Sequence, residues 1–267
     1  MLRSFVKIVA VLASLLIAID FASAANSPQS YAAAQQNYLL QLDLKQKLML
    51  QMFLISAGYL NSVPDKDFNP NTFAALQRFQ SDNGLPASGI LDNATLKQLI
   101  NAVTPMLVLW GFRKVTHPSR PVAIWVPLGL GLASKRTDNG LQFEDAQKSL
   151  LINFVTFKDV SALLIYNLLL ETIAKDGSRI ISKEIKENGF VISSKTSDGA
   201  NRYLRYMQDG PNVTGFTLSW NYSRGDFHGE RIALLISASL LSSLAGVPFI
   251  DPPLSGSSDT SDKPGDK

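Results

Sequence analysis

Apolar residues fall three and four apart through residues 38–57, at Leu44, Leu48, Met52 and Ile55, and this spacing predicts one amphipathic helix. Gly58 follows as the expected C-cap. Residues 61–67 (NSVPDKD) read as a loop from their Asn, Ser, Pro and Asp. Asn69 then stands as a helix cap, with Pro70 at the first helical position, where a missing N–H costs no bond. Phe73, Leu76 and Phe79 share one face, and Gly84 closes that helix. Leu85-Pro86 is extended, because Pro restricts its predecessor, and Ser88-Gly89 is a turn. Asp92 caps a third helix with Leu96, Leu99, Ile100 and Val103 inward. FNPNTFAAL (68–76) and LDNATLKQL (91–99) thus write one start signal twice: apolar staple, Asx cap, Thr, apolar core. Three short helices around a small core, residues 38–103, are the expected result.

After Thr104-Pro105 the pattern changes to short apolar runs of strand type, at 107–115 (LVLWGFRKV), 122–128 (VAIWVPL) and 151–157 (LINFVTF). Asp159 is the expected cap of a strongly apolar helix over 160–174. Residues 179–187 alternate weakly, and 189–193 (GFVIS) read as a better strand. Ser197-Asp198-Gly199 predicts a hairpin turn, 202–207 the next strand, Asp209-Gly210-Pro211-Asn212 a second turn and 213–222 a further strand. Residues 229–244 close as a helix with Ile232, Ile236, Leu240 and Leu244 at spacing four. The expected class is multidomain: a small all-α three-helix module followed by an α+β domain with an antiparallel sheet and packed helices, residues 106–250.

The stretches LISAGYL (54–60), FNPNTFAALQRFQ (68–80) and NGLPASGILDNATL (83–96) are similar to the peptidoglycan-binding domain family, three-helix modules attached to cell-wall enzymes and other envelope proteins. The likeness covers about a quarter of the chain. Two places depart: Asp65-Lys66-Asp67 stands where the family has Asp-Gly before the Phe, and Asn69 where it has Gly after it. What the resemblance implies is peptidoglycan as partner, bound in a shallow groove between helices. Tyr59, Phe68, Gln80 and Asn83 flank the inter-helix loops and are the candidate ligand-binding residues. Phe68 can equally be a helix staple, and Gln80 can equally bond the following turn. More faintly, the run GFRKVTHPS (111–119) and the hairpins over 188–203 resemble PsbP-like α/β/α sandwich proteins, across residues 106–246.

The N-terminus bears on location. Arg3 and Lys7 precede an apolar stretch over 8–21, and Ala22-Ser23-Ala24 supplies small residues for cleavage, so residues 1–24 read as a signal peptide. The alternative is an uncleaved anchor helix, although the apolar run is short for a span. Residues 25–37 are expected as a flexible lead and 251–267 as a disordered tail. The expected location is secreted and periplasmic, in a bacterial envelope, with no membrane contact after cleavage.

Composition narrows the chemistry. Hydrophobic residues make up 46% of the 267 positions, enough for a real core. The balance of 25 Lys+Arg to 22 Asp+Glu is too even for a nucleic-acid partner. With no Cys, thiol nucleophiles, thiolate zinc sites and disulfides are excluded. Only His117 and His228 are present, and neither lies in a metal-binding motif. Ser-x-x-Lys occurs only at 4–7, inside the signal segment, and no Gly-x-Ser-x-Gly is present. Glu171, the one acid inside the 160–174 helix, is expected on its solvent side. Arg202, Tyr203, Arg205 and Tyr206 interleave either as a binding surface or as a half-buried strand, the latter being commoner. The expected function is therefore non-enzymatic, with no cofactor and no metal: wall binding by the module, and binding or scaffolding by the α+β domain. The alternatives are a peptidoglycan hydrolase using scattered carboxylates, or an adaptor that recruits another envelope protein through the C-terminal domain.

Overall fold

The computed structural model describes residues 31–65, 67–221 and 228–246. The segment read as a signal peptide, the first part of the lead and the tail lie outside them. The described chain opens with helix α1 (Tyr31–Gln41) and α2 (Leu44–Ala57). One helix from 38 to 57 and a flexible stretch up to 37 are therefore both corrected. The Asp43 side chain accepts from the N–H of Gln46 while Gln46 Oε1 accepts from the N–H of Asp43, a capping box that restarts the helix. Tyr31, Ala34 and Tyr38 form the inward stripe of α1, and the Tyr31 ring stacks on Phe68 and meets Phe73 edge-on. Helix α2 is buried on nearly every side from Met49 to Ser56, because it lies between other helices rather than on a surface.

Helices α3 (Pro70–Asp82) and α4 (Asn93–Trp110) follow. The doubled start signal works twice. Asn69 Oδ1 accepts from the N–H of Thr72 at 2.9 Å, and Asp92 Oδ1 from that of Thr95 at 2.7 Å. Both Thr residues are buried. The strand expected at 107–115 is corrected: α4 runs through the expected boundary at 104–105 and ends at Gly111, whose backbone is left-handed at φ 51°. Leu107 and Trp110 continue the stripe of Leu99 and Val103, and that burial outweighs the N–H missing at exposed Pro105.

Strands β1 (Phe112–Thr116) and β2 (Ala123–Pro127) make a two-stranded antiparallel sheet. A hairpin without strong apolar alternation follows, β3 (Ala133–Thr137) and β4 (Gly140–Glu144), turning on Asp138-Asn139. Then come β5 (Leu150–Phe157), α5 (Ala162–Lys175), β6 (Arg179–Lys186), β7 (Gly189–Lys195), β8 (Asn201–Asp209), β9 (Asn212–Trp220) and α6 (Gly229–Leu244). The cap of α5 is Ser161, whose hydroxyl accepts from the N–H of Leu164, not Asp159, which sits at φ 53°. The long strands join β3 and β4 in one seven-stranded antiparallel sheet, ordered β3-β4-β5-β9-β8-β7-β6. The strands expected at 151–157, 189–193 and 202–207 all fall in it, and β9 returns beside β5 along eight residue pairs.

One core joins the module to the sheet. It runs from Tyr38, Phe53 and Phe79 through Leu107, Trp110, Phe112 and Trp125 to Ile152, Phe216 and Ile236. Helix α6 roofs this face and completes β2: Ser239 and Ser243 hydroxyls accept from the N–H groups of Trp125 and Ala123, each at 2.8 Å. The opposite face carries a second, smaller core, in which Ile165, Tyr166 and Ile173 of α5 meet Phe190, Ile192, Leu204 and Tyr206.

Candidate functional site

The four candidate residues separate into two interior and two surface positions. Phe68 is 4% exposed, within an aromatic cluster with Tyr31, Tyr38 and Phe73. Gln80 is fully buried. Its Oε1 accepts from the N–H of Gly89 at 2.8 Å, and its Nε2 donates to Ile90 O at 2.8 Å and Thr95 Oγ1 at 3.1 Å. Gln80 therefore clamps the turn between α3 and α4. Gly89 completes that turn at φ 70°, where a Cβ would strike the Phe73 ring at 2.2 Å.

Tyr59 and Asn83 reach the surface together. Tyr59 follows the left-handed Gly58 that ends α2, and its ring meets Phe79 edge-on. Its hydroxyl donates to Asp82 Oδ2 at 3.0 Å, and its carbonyl accepts from Arg78 Nη2 at 2.7 Å. Burial first, and Asp82 second, push the phenol pKa up, so it stays protonated and donating. Asn83, next to Asp82, donates from Nδ2 to Phe79 O at 2.8 Å and closes α3. Arg78 and Asp82 escape a reading of the loops alone. Their spacing of four on the exposed side of α3 was the available signal.

The loop 61–69, where the sequence departs from the family pattern, is organised from inside by Gln51. Its amide donates to Tyr38 Oη (3.0 Å), Asp65 O (3.0 Å) and Asp67 O (3.2 Å), while its oxygen accepts from the N–H of Asp65 (3.1 Å). Burial drives the Tyr38 phenol up to about 12, against the opposing Gln51 bond.

The other chemical candidates sit in structural roles. His117 is 3% exposed; its Nε2 donates to Asn139 O at 3.0 Å, while Nδ1 accepts from the N–H of Ser119 at 3.3 Å. Burial, with Arg120 adding repulsion, lowers its pKa. Glu171 is exposed beside Lys175 at 3.8 Å. On β8, Tyr206 is buried against α5, Tyr203 shares a hydrogen bond with Ser237 of α6, and Arg202 pairs with Asp176 at 3.2 Å. Among the described residues no three His, Cys, Asp or Glu gather as a metal site, and no helix is long and apolar enough to cross a membrane.

A module of this geometry has known counterparts. Residues 48–99 match the family described as "Putative peptidoglycan binding domain". The match opens inside α2 and ends inside α4, so it takes in the Tyr59 corner, the Gln80 clamp and both Asx caps. No curated protein matches the chain. Among solved structures, the chain is similar to the solution structure of cyanobacterial PsbP (CyanoP) from Synechocystis sp. PCC 6803. That likeness has 11% identity and a TM-score of 0.38, over 50% of this chain and 91% of that one.

Proposed function

We propose that this is an exported envelope protein that holds peptidoglycan through its N-terminal module, with the α+β domain serving as a non-catalytic binding or scaffolding body in the periplasm. The family match of residues 48–99 carries the reading. The site we assign is the surface corner of Tyr59, Arg78, Asp82 and Asn83, which offers a phenol face, a cation, a carboxylate and an amide. Phe68 and Gln80 act behind it, fixing the loops that present it.

The test is co-sedimentation of the whole chain with insoluble sacculi. Because α4 and the main core cross the boundary near residue 105, separated halves would expose Trp110 and Phe112 and mislead. Whole-chain surface variants serve better. Tyr59→Phe with Asp82→Asn, which keeps the ring on Phe79 but removes the hydroxyl and the carboxylate, is expected to weaken pelleting about ten-fold or more while leaving the melt nearly unchanged. Unchanged pelleting would remove the corner from the site. Incubation with dye-labelled sacculi is expected to release no dye; release would favour the hydrolase reading.

A further inference from the structure

Two arginines from distant parts of the chain grip the turn that ends α2. Arg231, in the first turn of α6, donates from Nη1 to Ser56 O at 2.9 Å. Its guanidinium lies against Gly58, so closely that a Cβ there would fall 2.2 Å from Nη2 and 2.6 Å from Cζ. Arg78 of α3 donates to Tyr59 O, on the next residue. Neither makes an ion pair among the described residues. The nearby acids are Glu230, beside Arg231, and Asp82, which accepts from the Tyr59 hydroxyl.

The backbone carbonyls, with Met106 Sδ at 3.8 Å from Arg231 Nη1, use only part of what the two guanidiniums offer. Each has five N–H donors in a planar fork suited to a carboxylate. We infer that the ligand of this corner is a free carboxylate of a wall peptide, gripped by Arg78 of the module and Arg231 of the C-terminal domain. This rests on the peptidoglycan reading and extends it: recognition is directed to the peptide rather than the sugar, and the α+β domain contributes a residue to the site. Gly58 serves the site by having no side chain, which makes room for the Arg231 guanidinium against the turn.

The experiment compares two preparations of sacculi, untreated and with their carboxyl groups converted to amides by carbodiimide and ammonia. Wild-type protein is expected to pellet with the first and to bind the second about ten-fold or more weakly. Arg231→Gln and Arg78→Gln keep an N–H donor for the backbone carbonyl but remove the charge. Each is expected to weaken binding to untreated sacculi by a similar factor, to flatten its salt dependence and to leave thermal unfolding close to wild type. Equal binding to amidated and untreated sacculi overturns the proposal. So does wild-type affinity in Arg231→Gln. If wild type fails to pellet even untreated sacculi, the wall-binding reading falls, and this inference with it.

Discussion

The two faces of the seven-stranded sheet are covered unequally. One lies under α6, in a core that continues into the helical module and includes Trp110 and Trp125. Among the described residues the other lies under α5 alone, which turns Leu163, Leu164 and Leu168 outward at 57%, 48% and 49% exposure. Beyond α5, edge strand β6 has all eight residues exposed. Arg179, Lys183 and Lys186 punctuate that edge, as Lys135 and Arg136 do the opposite edge at β3, and such charges discourage edge-to-edge pairing. The contrast teaches that the module is not an appendage. It packs on α6, which lies over the sheet, and one core joins the two, so its stability belongs to the sheet as well.

The largest effect should come from the shared core. Trp110→Ala should cost about 3–5 kcal/mol and speed amide exchange in the module and in β5 and β9 together. Ile173→Ala, on the α5 face, should cost toward the lower part of about 2–5 kcal/mol and speed exchange in α5, β6 and β7 only. Exchange confined to the helices in Trp110→Ala would break the comparison. Next comes the buried clamp. Gln80→Ala leaves Gly89 N–H and Ile90 O without their side-chain partner, and denaturant titration should register about 1–3 kcal/mol.

Smaller again are the two caps. Asn69→Ala and Asp92→Ala should each cost about 1 kcal/mol in the same titration, and a large inequality would mean the two helix starts are not equivalent. Smallest is a pH slope from His117. Its folded pKa lies below its unfolded value near 6.5, so the neutral ring is what the fold prefers. The contribution is complete above the unfolded value and is lost as pH falls from there through the folded one. Melting temperature against pH should therefore dip more in wild type than in His117→Gln on the acid side, and parallel curves would exclude the imidazole as the cause.

The module was the most legible region because its signals are local. Asx caps, Pro70 at the first helical position and the apolar staples act within five residues, and the structure carries out both caps, Pro70 and the Phe68–Phe73 staple. The capping box of Asp43 and Gln46 is equally local, but Leu42 and Leu44 on either side keep the apolar pattern running and hide it. The β3–β4 hairpin was not legible, because a strand such as ASKRT, exposed along its length, has no apolar alternation to display. The candidate site was half legible. Loop position brings Tyr59 and Asn83 to the surface but cannot say that Gln80 points into the turn it precedes. Arg231 stands 175 positions from the carbonyl it bonds, and only the packing of α6 on α2 brings it there.

Helix α4 also has a mechanical consequence. Its 18 residues form a rod roughly 27 Å long, sealed into the core from Leu96 to Trp110, with no slack before β1. A wall-holding module on a flexible tether lets its cargo sample a sphere of positions, at a local concentration set by tether length. Here the sheet domain is carried at one fixed height and one fixed orientation above whatever surface the module grips. Anything meeting β6 or α5 would meet them from a single direction, as it would a bracket bolted to a frame.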